Sequence, residues 1–156
     1  MLYLVRHAHA SGGSPDSGRP LSADGLAQVR RLAVILRQGG AFAPEEIWHS
    51  TLLRARQTAE LLASEMGLKA PLREISGLEP DAPPGDVIPR LKAGRSVALV
   101  GHNPHLTLLG TALVTGSPSP GAFVLRKGSV LALEPSRGEY PGDWVVSWHL
   151  APDFSE

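Results

Sequence analysis

Residues 2 to 5, Leu-Tyr-Leu-Val, form an unbroken apolar run that stops abruptly at Arg6-His7-Ala8-His9. A strand with one face in water alternates apolar and polar residues. A run with no polar residue fits a central strand covered on both faces, as in α/β sheets. The turn-type residues that follow, Ser11-Gly12-Gly13-Ser14-Pro15, make the next segment a loop. Ligands in open α/β sheets sit outside the carboxyl ends of parallel strands, so Arg6 and His7 fall where chemistry is usually placed. Two plainer readings stand beside that one. The basic residues are a solvated strand end, or His7 and His9, two apart on one face of an extended segment, grip a metal ion.

The rest of the chain repeats the β-then-α pattern. Leu26, Val29, Leu32, Ala33 and Leu36 share one helical face, with Ser22 as N-cap and Gly39-Gly40 as the stop. Glu46 to Ser50 is short and β-prone, and it runs into a second helical pattern through Leu53, Ala55, Thr58, Leu61, Leu62 and Met66, closed by Gly67. Residues 70 to 85 are rich in proline and glycine and predict an irregular connection with a short strand at Leu72 to Ile75. Asp86 caps a short helix to Lys92 in which Pro89 is tolerated in the first turn. A second buried strand, Ser96 to Val100, precedes Gly101-His102-Asn103-Pro104-His105, where Asn103 as cap and Pro104 at the first helical position open a helix to about Val114. Ala122 to Arg126, Ser129 to Glu134 and Asp143 to His149 read as a strand meander that adds antiparallel edges to a mainly parallel sheet.

At 156 residues the expectation is a single domain, 1–156, with its own core. Fifteen basic and fifteen acidic residues cancel, so bulk charge points to neither nucleic acid nor an acidic membrane, and any anion site is local. The absence of cysteine removes disulfides, thiolate nucleophiles and cysteine-based metal sites, and fits a cytoplasmic location. No charged-then-apolar leader precedes the first strand and no apolar run approaches the ~20 residues of a membrane span. Export and insertion are therefore not expected.

Three strand ends carry related polar chemistry: Arg6-His7, Ser50-Thr51 with Arg54, and His102-Asn103. On a parallel sheet they converge on one rim. Arg54 falls in the first turn of its helix, beside free N–H groups and the positive end of the dipole, where anions bind. Arg56, two residues on, points away. Two arginines and two histidines facing one point make a pocket for a tetrahedral dianion. An unprotonated imidazole there is also a competent nucleophile, and phosphoryl transfer asks mostly for positioning and charge neutralisation, so no metal or cofactor is required.

The motifs Leu-Val-Arg6-His7-Ala8, Ser50-x-x-x-Arg54-Ala-x-Gln57-Thr58-Ala-Glu60 and Val-Gly-His102-Asn103-Pro104 resemble, in order, those of the histidine phosphatase superfamily, whose fold is phosphoglycerate mutase-like. The resemblance covers residues 1 to 115 well and the tail loosely. It implies a three-layer α/β/α sandwich, transient phosphorylation of His7, and a clamp of Arg6, Arg54 and His102 on the phosphoryl oxygens. Arg19-Pro20-Leu21-Ser22, Leu78-Glu79-Pro80 and Pro84-Gly85-Asp86-Val87 resemble the small SixA-type phosphohistidine phosphatases, a branch that brings an arginine matched by Arg19 to the pocket. A loop Arg19 pairing with Asp16 or Asp24 fits the pattern as well. Ala8 stands where glycine is most common and adds a methyl near the phosphate.

Candidate substrate-binding residues are thus Arg19, Asn103 and Glu79, Glu79 being the one placed to act as a general acid. The expected partner is a phosphohistidine-bearing protein or a small phosphorylated molecule. Rival readings are a phosphomonoesterase of the same superfamily, a metal protein built on His7, His9, His102 and His105, and a silent phosphate-binding scaffold.

Overall fold

The computed structural model describes residues 1–91 and 94–152. Six strands form one sheet in the order β3-β2-β4-β1-β5-β6: β1 Leu2–Arg6, β2 Glu46–His49, β3 Leu72–Glu74, β4 Val97–Gly101, β5 Val130–Pro135 and β6 Trp144–Leu150. β1, β2, β3 and β4 pair in parallel, and β5 and β6 add antiparallel partners beyond β1. Among the described residues the α-helices are α1 Ala23–Gly39, α2 Leu53–Met66 and α3 His105–Thr115.

The uninterrupted apolar runs are explained by the two layers they touch. Tyr3, Val5, Ile47, Ala98 and Val100 face a core that includes Val29, Leu32, Ala55, Ala59 and Leu62 of α1 and α2. Leu2, Leu4, Trp48, Val97 and Leu99, alternating with them, face Leu106, Leu109 and Leu113 of α3. Side chains on a strand point alternately to opposite faces, so apolar residues at every position mean helices on both sides. The result is the expected α/β/α sandwich with a mainly parallel sheet.

Helix ends follow local chemistry. Ser22 caps α1 by accepting from Gly25 N–H, and Gly40 (φ 68°) and Gly67 (φ 65°) end α1 and α2 in the left-handed region. Gly25 has a second role, because a Cβ there would lie 2.0 Å from the His9 carbonyl oxygen. Only glycine lets α1 approach the loop after β1 so closely.

Three expected elements differ. The helix from Asp86 to Lys92 is replaced by two 3₁₀ turns, Pro84–Asp86 and Ile88–Arg90, and Lys92 lies outside the described residues. Pro83, Pro84 and Pro89 remove backbone donors that an α-helix would need, and only i→i+3 bonds such as Asp86 N–H to Pro83 O form. Residues 122–126 are irregular. Both edges of β1 are already taken by β4 and β5, so this segment has no place beside it, and its Leu125 carbonyl accepts from Arg6 and Asn103 instead. α3 starts one residue later than expected, with Pro104 rather than Asn103 at its N-cap.

Candidate active site

The carboxyl ends of the central strands lie level. Arg6 is in register with Gly101 and His49 with Val100, so His7, His102 and Ser50 begin three adjacent loops. Backbone bonds lock the rim: His7 N–H to Gly101 O at 2.9 Å and Ser50 N–H to Val100 O at 3.1 Å. The rings of His7 and His102 consequently stand 5.0 Å apart, centroid to centroid.

α2 fastens the loop that carries His7. Ala8 N–H donates to Thr58 Oγ1 (3.1 Å), whose hydroxyl donates to Arg54 O (2.7 Å), and Leu21 N–H donates to Gln57 Oε1. Gln57 and Thr58 of the second motif thus hold backbone, while Arg56 and Glu60 form an exposed pair on the far side. Ala8 is fully buried, and its methyl joins the core shared with α1 and α2.

His7 is buried, and its Nδ1–H donates to Ala8 O at 2.6 Å. A carbonyl only accepts, so the neutral ring carries its lone pair on Nε2. Burial pushes the His7 pKa down to about 4 against the raising effect of the Ala8 bond, and Arg54, Arg6 and Lys127 push it further. His102 accepts or donates through Nε2 to Ser50 Oγ at 2.7 Å, and its buried Nδ1 has no partner. Burial first, then the charges of His7 and Arg54, lower it to about 3. At neutral pH both rings are uncharged beside two guanidinium groups.

This arrangement costs stability in acid. The native pKa values of about 4 and 3 lie below the ordinary 6.5, so between these limits the unfolded chain binds more protons. Stability therefore rises with pH across that window and falls on acidification, by about 3 kcal/mol for a shift the size of that at His7. The urea midpoint of the wild type should drop steadily from pH 6.5 to 4. The same series on His7→Gln should be flatter.

Arg54, in the first turn of α2, is 7% exposed. Its Nη1 donates to Asp16 O (3.0 Å) and its Nη2 to Asp16 Oδ2 (3.3 Å). Arg19 gives Nη1–H to Asp16 Oδ1 (2.9 Å) and Nε–H to Ser11 O (2.9 Å), so the pairing with Asp16 considered from sequence is the one formed. Arg6 donates through Nη1 to Leu125 O at 2.8 Å. The same carbonyl accepts from Asn103 Nδ2, and Asn103 Oδ1 accepts from Thr107, so the amide links Leu125 to the first turn of α3.

Glu79 accepts from Thr51 Oγ1 (3.1 Å) and Gly77 N–H (2.7 Å). Burial raises its pKa, but its own N–H, that of Gly77, Thr51 and nearby His105 outweigh this and hold the carboxyl below its ordinary value. The four-histidine metal reading is not supported. His9 Nδ1 is bonded to Ser22 Oγ, and no group of three or more histidine or carboxylate side chains among the described residues is placed to hold a metal.

Three contributors were not singled out from sequence. Asp16, in sequence a candidate partner for Arg19 alone, also holds Arg54. Lys127, read as part of a turn, acts on His7 through its charge, and Gly128 N–H contacts Arg6 O and His7 O at that same turn. Leu125 contributes a backbone carbonyl, for which side-chain identity gives no signal.

The sequence profile of the histidine phosphatase superfamily (branch 1) matches residues 2–79. An uncharacterized protein of Picosynechococcus sp. is 35% identical over 141 residues, covering 85% of this chain and 83% of that protein. Among solved structures, the protein histidine phosphatase SixA complexed with tungstate is similar over 97% of this chain and 96% of that one, at TM-score 0.83 and 25% identity. A protein from Agrobacterium tumefaciens assigned as a phosphohistidine phosphatase SixA follows at 0.77 and 24%, covering 97% of each chain. One from Escherichia coli assigned as an α-ribazole-5′-phosphate phosphatase has 0.72 and 19%, covering 93% of each, and these last two likenesses are of fold. With the aligned strand ends and their motif residues in place, the chain belongs to the histidine phosphatase superfamily (branch 1) and is a SixA-like phosphatase in architecture.

Proposed function

We propose that the protein removes phosphate from phosphohistidine carried on a protein, through transient phosphorylation of His7 and without a metal ion. One observation carries the reading: a buried, uncharged His7 with Nδ1 tied to Ala8 O and Nε2 left as the nucleophile, next to His102 and the Arg54 guanidinium. Nε2 attacks phosphorus as the substrate P–N bond breaks, and the departing imidazole nitrogen takes a proton from water. A water oxygen then attacks phosphorus, the Nε2–P bond breaks, and phosphate leaves. Arg6 and Arg54 supply donors to the phosphoryl oxygens, His102 joins them when its Nε2–H turns from Ser50 Oγ to the phosphoryl group, and Arg19 adds positive charge at the mouth.

Two features favour phosphohistidine over an alkyl ester. An alkoxide needs a general acid, whereas imidazole nitrogen takes a proton readily. Glu79, the candidate acid, is held in its ionised form by three hydrogen bonds and is poorly suited to donate. Segment 67–96, between α2 and β4, holds only β3 and two 3₁₀ turns among its described residues, which leaves little to cover the pocket. An open pocket admits a histidine presented on a folded surface, while small substrates gain from enclosure.

The test is a side-by-side kcat/KM comparison of a phosphohistidine carrier protein with sugar, nucleotide and glycerate phosphates, in chelator. The carrier should be turned over fastest, and Glu79→Gln should change its turnover by less than about tenfold. The second reading, a small-molecule phosphomonoesterase, draws on the fold shared with the Escherichia coli protein. It would be favoured by faster turnover of an alkyl phosphate that falls ~10²-fold or more in Glu79→Gln.

A further inference from the structure

We infer that Asp16 is a specificity-determining residue, a fixed carboxylate at the pocket mouth that disfavours substrates carrying a second negative charge beside the transferring phosphoryl group. The inference rests on the pocket being a phosphoryl site, but not on phosphohistidine being the substrate.

Three observations place the charge. The Asp16 side chain is 62% exposed, yet its backbone oxygen and one carboxylate oxygen lie on Arg54, an arginine that is itself 7% exposed. Its other carboxylate oxygen is bonded to Arg19. One anion thus spans the inner and the outer arginine. Arg54 gives Asp16 two of its five donors, leaving others for a phosphoryl oxygen. Arg19 is the outer cation joined to Arg54 through Asp16, and its fork is already occupied on the Nη1 side by Asp16, with Nε held on Ser11 O. A substrate with a neighbouring carboxylate therefore meets both a repelling charge and a counter-charge already paired. A neutral or cationic neighbour, such as the imidazole ring of phosphohistidine, meets neither difficulty.

Two unit charges about 6 Å apart at a solvated mouth correspond to roughly threefold to tenfold in binding, and the effect is screened by salt. The experiment compares kcat/KM for 3-phosphoglycerate with that for p-nitrophenyl phosphate, in wild type, Asp16→Asn and Asp16→Glu, at low and high ionic strength. Asp16→Asn should raise the ratio by about threefold to tenfold, chiefly through KM for 3-phosphoglycerate, and the gain should shrink in high salt. Asp16→Glu should retain the wild-type preference. Equal factors on both substrates, or a change in ratio insensitive to salt, would overturn the assignment and leave Asp16 as a support for Arg54. A protein that proves to prefer small phosphates over phosphohistidine, yet shows this ratio change, would defeat the proposed substrate and leave this inference standing.

Discussion

His7→Ala is expected to lower kcat/KM by roughly 10⁴-fold or more, the scale at which loss of a nucleophile removes a covalent route altogether. The structure explains why no neighbour should substitute. His102 is the other ring at the site, but a neutral ring that donates through Nε2–H has its lone pair on Nδ1, which is buried. His9 is bonded to Ser22. The fold should survive, because His7 contributes one hydrogen bond to a neighbouring carbonyl and otherwise carries a burial cost. Far-UV circular dichroism of the variant should match the wild type, and its urea midpoint at pH 5 should be no lower. Turnover by His7→Ala within tenfold of wild type would show that another group attacks phosphorus.

Arg54→Lys should cost about 2 kcal/mol or more in transition-state stabilisation, some 30-fold or more in kcat/KM, although the charge is kept. A guanidinium in this position bonds backbone and carboxylate of Asp16 on one side and keeps further donors in a fixed plane for phosphoryl oxygens. An ammonium has one nitrogen and cannot hold both sides. Arg56→Lys is the control, since Arg56 is exposed and pairs with Glu60 one turn along the same helix. Steady-state kinetics of the two variants should therefore differ by at least tenfold. Equal losses would mean that the anion site does not lie at the start of α2.

The legible parts of this protein are those where a local rule decides. Leu2 to Val5 and Val97 to Val100 fit strands covered on both sides, and their covered faces lead directly to the α/β/α layers and to a rim bearing His7 and His102. Ser22, Gly40 and Gly67 ended helices for backbone reasons that need no tertiary context. The failures were non-local. Residues 122–126 have strand-like composition, but strand formation depends on a vacant neighbour, and β1 has none. Asn103 reads as the cap of α3, whereas Pro104 takes that place and the Asn103 amide ties Leu125 to Thr107. Asp16 sits in a Ser- and Gly-rich loop without periodicity, and the arginine it reaches is 38 positions away.

The central claim, that phosphorus passes through the ring of His7, is tested most directly by trapping the intermediate. Enzyme mixed with a ³²P-labelled phosphohistidine protein and quenched in alkali should retain one labelled peptide, the one containing His7. The label should be stable in alkali and lost in acid, as a phosphoramidate is, and it should be absent from His7→Ala. An acid-stable label, or a label that persists in His7→Ala, would contradict the account.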